Sequence, residues 1–215
     1  MPEPTTSRGR DSKCRIVAAA AGLMYERGIR AASVDDIVEA SGTGKSQFYH
    51  YFPDKSALVA EVLAHQLDQI LDEQKGYPLD SFSGIATWFR ALVERHETRW
   101  GLHGCPLGSI AGEAADHGES LRVTAADVFT RWESSLATAL EAMRHRGELT
   151  DTADAQITAE AVIAIIQGGY LLSSIKRDVR PMRGALQAAL LYLESYSPTR
   201  GPHVRRGTES NTLWT

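Results

Sequence analysis

Apolar residues recur at intervals of three and four along most of the chain, and no stretch alternates polar with apolar at a spacing of two. That periodicity predicts helices throughout and no strands. Ile16, Ala20, Leu23 and Met24 form an inward stripe on a helix from Ser12 to Arg27, which Gly28 ends. Ser33 followed by Asp36 is a capping-box variant, offering a hydroxyl and a carboxylate to the free N–H groups of a helix start. Val34, Ile37 and Val38 give that short helix one apolar face, and Gly42 lets the backbone leave it. After the turn Ser41-Gly42-Thr43-Gly44, residues Phe48, Tyr51 and Phe52 again fall at helical spacing and read as core. Asp54 is placed to cap a fourth helix to about Gln74, with Leu58, Val62, Leu63, Leu67, Ile70 and Leu71 on its apolar side and Gly76-Tyr77-Pro78 as its stop.

Further helices are expected from Ser81 to Arg99, from the glycine-rich corner Gly101–Gly108 to about Ala115, and from Ser120 to Arg146. Another, capped by Thr150 or Asp151, reaches about Lys176, and Pro181 opens the last. Within the penultimate helix, AEAVIAIIQGGYLL (159–172) is nearly apolar all round, so water cannot cover it and other helices must. A two-fold four-helix interface would do so, formed by Ala161, Ile165, Gly168, Gly169 and Leu172 with Leu186, Ala189, Leu190 and Leu193. Gly168-Gly169 costs a helix roughly 1 kcal/mol each against Ala, which makes sense where another helix packs closely. The chain thus divides into an arm (1–11), a three-helix domain (12–56), a connecting helix (57–79), a larger helical domain (80–196) and a tail without periodicity (197–215) expected to be disordered. The fold class is all-α.

Composition adds little to this except by its distribution. The 215 residues carry a net charge of −4, so the chain as a whole is not a generic polyanion binder. Residues 1–56 hold eight Lys or Arg against seven Asp or Glu, and the remainder fifteen against twenty, a slightly basic head on an acidic body. Arg8 and Arg10 in the arm are better read as solvated than as minor-groove contacts. Two cysteines, Cys14 and Cys105, fall in different predicted domains, and the N-terminus lacks the apolar run of a signal peptide, which points to a reducing cytoplasm. The best membrane candidate, Ala161 to Ile175, is too short to span.

Several chemistries fail on spacing. Gly44-Lys45-Ser46 looks like the end of a P-loop, yet position 39 is Glu where that motif needs glycine, and a helix rather than a strand precedes it. Ser109 has Leu107 where a nucleophile elbow needs glycine, and no carboxylate pair stands out, so an enzyme is not expected. His96, His103, Cys105 and His117 are ligand types for zinc or copper but match no compact ligand spacing; a metal or redox sensor is kept only as an alternative, and no metal or cofactor is expected.

Lys45, Ser46, Gln47, Tyr49 and His50 crowd polar groups onto one short helix that follows another across a four-residue turn, the layout of a helix-turn-helix. From about Lys13 to Leu63, and most specifically in Lys45-x-x-Phe-Tyr-His-Tyr-Phe-Pro-Asp-Lys55, the chain resembles the TetR family of bacterial transcriptional regulators. The segment GCPLG (104–108) resembles the LmrA/YxaF-type subgroup. The resemblance implies double-stranded operator DNA as partner, with Lys13, Ser33, Thr43, Gly44, Lys45, Ser46, Gln47, Tyr49, His50 and Lys55 at the interface. Of these, Gln47 is the expected base contact, to adenine, and Lys45 reaches guanine or phosphate; Ser33, Tyr49 and Lys55 hold the backbone. Gly44 and Thr43 depart from the Ser and the apolar residue usual at those family positions. The resemblance also implies a homodimeric repressor whose second domain takes a small flat or hydrophobic effector. Trp88, Phe89, Leu92, His96, Trp100, Phe129, Trp132, Met143 and Tyr170 are candidates for that pocket. The competing reading is a helical ligand-binding or enzymatic domain whose helix-turn-helix mediates protein contacts.

Overall fold

The computed structural model describes residues 7–98 and 104–198. Among these residues there are nine α-helices and no strand: α1 (Ser7–Arg27), α2 (Val34–Ser41), α3 (Lys45–Tyr51), α4 (Lys55–Gln74), α5 (Phe82–Thr98), α6 (Pro106–Ala115), α7 (Glu119–His145), α8 (Ala155–Lys176) and α9 (Arg180–Glu194). The all-helical expectation holds. Trp100, His103 and the tail from residue 199 lie outside the described residues.

The helices fall into two compact units. The first comprises residues 1–70 and 106–129, the second 71–105 and 130–215. The sequence divides the chain along the connecting helix; in the structure the break comes inside α4, and α6 with the first part of α7 joins the first unit. α6 buries Leu107, Ile110, Ala111 and Ala114, and from it Glu113 accepts the backbone N–H of Ile29 at 2.7 Å and of Arg30 at 3.0 Å.

Two helix starts differ from expectation. α1 begins at Ser7 rather than Ser12, so Arg8 and Arg10 lie on a helix and not on a loose arm. Ser, Gly and Arg are tolerated there because first-turn N–H groups have no intrahelical partner to lose. α8 is capped by Asp154, which accepts the Ile157 N–H at 3.0 Å, and not by Thr150 or Asp151. The Ala153 N–H instead closes a turn on the Thr150 carbonyl.

In the first unit the buried core draws on Ile16, Ala20 and Met24 of α1, Ile37 of α2, Phe48 of α3, Phe52 just past its end, and Leu58, Val62 and Leu63 of α4. Burying a side chain of this size contributes about 1.5–3 kcal/mol. In the second unit α8 and α9 form the main packed pair. A Cβ on Gly169 would lie 2.9 Å from Met182 Sδ and 3.0 Å from Ala185 Cβ, and Ser173 Oγ accepts the Met182 N–H at 2.9 Å. The helix that packs closely at Gly169 is therefore the chain's own α9. Leu186, Ala189, Leu190 and Leu193 are likewise buried within the chain. Periodicity finds the apolar stripe of α9 but cannot say which helix covers it.

Of the expected set Leu172 is among the large apolar residues left uncovered on α8 and α9, and the others left uncovered there are different residues. Ile157, Leu171, Leu172 and Ile175 on α8 and Leu191 on α9 are exposed, Ile175 to 70% and Leu171 to 61%. Ala161, Ile165 and Gly168 are half-buried on α8. Contrary to the span estimate from sequence, α8 with its 22 residues is long and apolar enough, by length and composition alone, to cross a membrane.

Candidate nucleic-acid interface

The interface is built on α2 and α3. Ser33 Oγ accepts the Asp36 N–H at 3.1 Å while Asp36 Oδ2 accepts the Ser33 N–H at 3.1 Å and its hydroxyl at 2.6 Å, completing the capping box. Those bonds from Ser33 hold the Asp36 carboxyl below the usual aspartate range. At the other end Gly42 takes a left-handed conformation (φ 62°), and its N–H and that of Thr43 return to the Glu39 and Val38 carbonyls. Thr43 shares a 2.7 Å hydrogen bond with the hydroxyl of Ser41, which fixes the turn without any apolar residue at that position.

Phe48 is fully buried and anchors α3 in the core, with its ring 5.6 Å from that of Phe52. Around that single anchor Gly44, Lys45, Ser46, Gln47, Tyr49 and His50 are all exposed, Tyr49 to 57%. These side chains face outward from a helix seated in the core by Phe48.

Two of these groups carry intramolecular partners. Lys45 Nζ pairs with Asp35 Oδ1 at 2.7 Å, and this hydrogen bond raises the lysine's affinity for its proton. Gln47 Oε1 accepts the Gly44 N–H at 3.2 Å, leaving its amide N–H₂ directed elsewhere. A bidentate contact to adenine uses both ends of that amide, and Oε1 keeps a second lone pair for it beside the bond from Gly44. The pairing of Lys45 with Asp35 was not read from the sequence, although acidic residues in the first turn of α2 are its visible signal.

Lys55 begins α4 and is half-buried, its ammonium 3.5 Å from the Arg30 carbonyl. Burial pulls its proton affinity down, and the nearby Glu113 and Asp36 carboxylates partly restore it. Lys13 is turned toward α4, where its ammonium lies 3.1 Å from Glu61 with the side chain 12% exposed. Like Thr43 and Lys55, it is half-buried where the other predicted DNA contacts are exposed.

The candidate effector residues of the second unit are buried: Trp88, Phe89, Leu92, His96, Trp132, Met143 and Tyr170. The Trp88 and Phe89 rings lie 5.2 Å apart, tilted by 40°, and the His96 and Tyr170 rings meet edge-on at 5.3 Å. Phe129 is half-buried and belongs to the first unit, so it is not grouped with them. Three polar side chains that sequence reasoning passed over sit in the second unit with buried atoms lacking hydrogen-bond partners: Gln74, Gln167 and Ser174. Gln167, Tyr170 and Ser174 lie at i, i+3 and i+7 on α8 and share one face. A separate open groove of ≈ 710 Å³ between α7 and the start of α8 is lined by polar groups including Thr138, Glu141, Arg144, Asp151 and Asp154, and by none of the predicted effector residues. Cys105 is buried and Cys14 exposed, and among the described residues no three His, Cys, Asp or Glu side chains converge as a metal site would require.

A capped helix, a tight turn and a second helix with polar tips standing on a buried aromatic define a DNA-binding helix-turn-helix protein. Comparison with known proteins makes the class particular. Residues 16–62 match the N-terminal domain of the bacterial regulatory proteins of the tetR family, and residues 81–188 match the C-terminal domain of LmrA/YxaF-like transcriptional regulators. The chain is 29% identical over 185 residues to the Bacillus subtilis regulator YxaF, covering 82% of this chain and 92% of that one. It is 24% identical over 176 residues to the B. subtilis regulator LmrA, covering 80% and 91%. The crystal structure of Escherichia coli NemR in its reduced form superposes with a TM-score of 0.74 at 21% identity, covering 83% of this chain and 95% of that one. The chain belongs to the TetR family, with an LmrA/YxaF-like C-terminal domain, and is a DNA-binding transcriptional regulator. Its family and relatives are regulators, not enzymes.

Proposed function

We propose that this regulator is a cytoplasmic homodimeric repressor that holds two α3 helices in successive major grooves of an operator and is released by a small, flat or hydrophobic effector. The observation that carries the reading is the exposed polar tip of α3 on its fully buried Phe48 anchor. Gln47 supplies base recognition, Lys45 reaches guanine or phosphate once freed from Asp35, and Ser33, Tyr49 and Lys55 hold the sugar–phosphate backbone. Half-sites of a two-fold dimer then lie roughly 34 Å apart.

Dimerisation is supported by the uncovered apolar positions Ile157, Leu171, Leu172, Ile175 and Leu191, with Ala161, Ile165 and Gly168 between them. The five exposed residues are large, and the smaller ones among them allow a partner helix to approach. The effector site is supported by the buried aromatic residues of the second unit and by the unmet hydrogen-bonding atoms of Gln74, Gln167 and Ser174. A ligand or a buried water must satisfy such atoms, since each costs about 1–3 kcal/mol when left alone.

The test is a gel shift on DNA upstream of regulated genes, at several salt concentrations and with competitor duplex. Sequence-selective retardation that weakens steeply with salt is expected; retardation indifferent to sequence would leave the head without a reading function. For induction, effector affinity is measured with and without operator. Linkage requires the two values to differ by the same factor in both directions, and equal values overturn induction.

A further inference from the structure

The Glu113 carboxylate is spent on neither an ion pair with a lysine or arginine nor a cap on its own helix. It reaches the turn after α1 and accepts two consecutive backbone N–H groups, those of Ile29 at 2.7 Å and Arg30 at 3.0 Å, 84 and 83 residues away in sequence. The turn is shaped to receive it. Gly28 has a φ of 84°, and a Cβ placed there would stand 2.9 Å from Glu113 Oε2. The next link is the Arg30 carbonyl, on the same short segment, which lies 3.5 Å from the ammonium of Lys55. Ser33 and the α2 capping box follow three residues later. His117, one turn further along the chain, has its Nε2 3.6 Å from Glu113 Oε1.

We propose that Glu113 is a positioning residue for operator binding. By gripping the Ile29–Arg30 backbone from α6 it sets where Lys55 and the start of α2 are held against the duplex. The residue touches no DNA group itself. Bonds between a carboxylate and backbone N–H groups are short and roughly twice as strong as neutral ones, so two from a single side chain fix this turn in orientation as well as place. The inference rests on the DNA reading of the head, and its test separates the two.

Operator affinity, salt dependence and thermal unfolding are measured on the full chain for Glu113→Ala, Glu113→Gln, Lys55→Ala and the Lys55→Ala/Glu113→Ala pair. Glu113→Ala is expected to weaken operator binding by about tenfold, alike for operators of altered base sequence, from the loss of two charge-assisted bonds. Glu113→Gln keeps one acceptor oxygen and should fall between. If Glu113 acts through Lys55, the Glu113→Ala loss shrinks in the Lys55→Ala background, because residues in one network are not additive. Amide exchange at Ile29 and Arg30 should quicken in Glu113→Ala while exchange at Phe48 stays slow. Unchanged operator affinity in Glu113→Ala overturns the proposal. So does a full loss in the Lys55→Ala background, or a loss that merely tracks the unfolded fraction. Should Glu113→Ala not fold, Glu113→Gln decides by the same measures. Failure of Lys55→Ala itself to weaken binding would count against the DNA reading, not against Glu113 alone.

Discussion

α3 and α8 use polarity in opposite ways. α3 has seven residues and one fully buried side chain, Phe48, and nearly everything else on it faces water with a hydrogen-bonding group. α8 has 22 residues, buries Val162, Ile163, Ile166 and Tyr170, and still leaves Ile157, Leu171 and Ile175 exposed. A seven-residue helix is too short to be stable by itself, so Phe48 and the flanking turns must hold it, which frees its remaining positions for recognition. A helix with apolar residues on two sides is held by its own chain on one of them only. Polar groups displayed on a fixed anchor suit a polyanion; apolar groups displayed on a packed helix suit another apolar surface.

The sharpest break on the α3 side is Phe48→Ala. Removing a fully buried phenylalanine costs about 3–5 kcal/mol, most or all of the stability available to a small three-helix head. Operator binding should vanish and amide protection in the first unit collapse. On the α8 side the corresponding variant is Leu171→Glu/Ile175→Glu, which places two charges on the uncovered face. Sedimentation should show a monomer for this pair, with helical content kept and operator affinity lowered because the half-sites are no longer joined. A dimer that persists would move the interface elsewhere on the molecule.

Much of α3 is legible without coordinates because its determinants are local. Ser33 and Asp36 announce a capped start, Gly42 an exit, and Phe48 with Phe52 the inward side, all within twenty residues. The second unit is less so. Leu186, Ala189, Leu190 and Leu193 form a stripe as expected, yet nothing in their spacing says that α9 turns them onto α8 of the same chain. Distance in sequence hides Glu113 more completely, since its partners are the backbone N–H groups of Ile29 and Arg30, and a backbone group carries no residue-type signal. Gln74 is invisible for a related reason: a polar residue at a helix end reads as solvated, and only its burial shows otherwise.

Within the head, two substitutions separate attraction from recognition. Lys55→Ala should weaken binding to every sequence about equally and reduce the salt slope by about 1. Gln47→Ala should cost about 1–3 kcal/mol on the cognate operator and relax preference at one base pair while leaving the salt slope alone. Because Gln47 Oε1 also caps the Gly44 N–H, the alanine variant loses a local bond in the free protein, and part of the measured change belongs to α3 itself. Measuring the operator with that base pair altered isolates the recognition part, which disappears there.

The smallest effect expected is one of acid stability in the cap beneath α2. Asp36 receives the hydroxyl and the N–H of Ser33, and these hold its carboxyl below the ordinary aspartate value of 3.8. A carboxyl with a lowered value in the folded state contributes stability that is fully present above the unfolded value and is lost as pH falls through the folded one. Asp36→Asn should therefore melt below the native protein near neutrality, and the gap should close on acidification below about pH 4. Thermal unfolding of the two proteins followed from neutrality to about pH 3 reads this, and a gap that stays constant over that range would show that the bonds from Ser33 do not depend on the charge of Asp36.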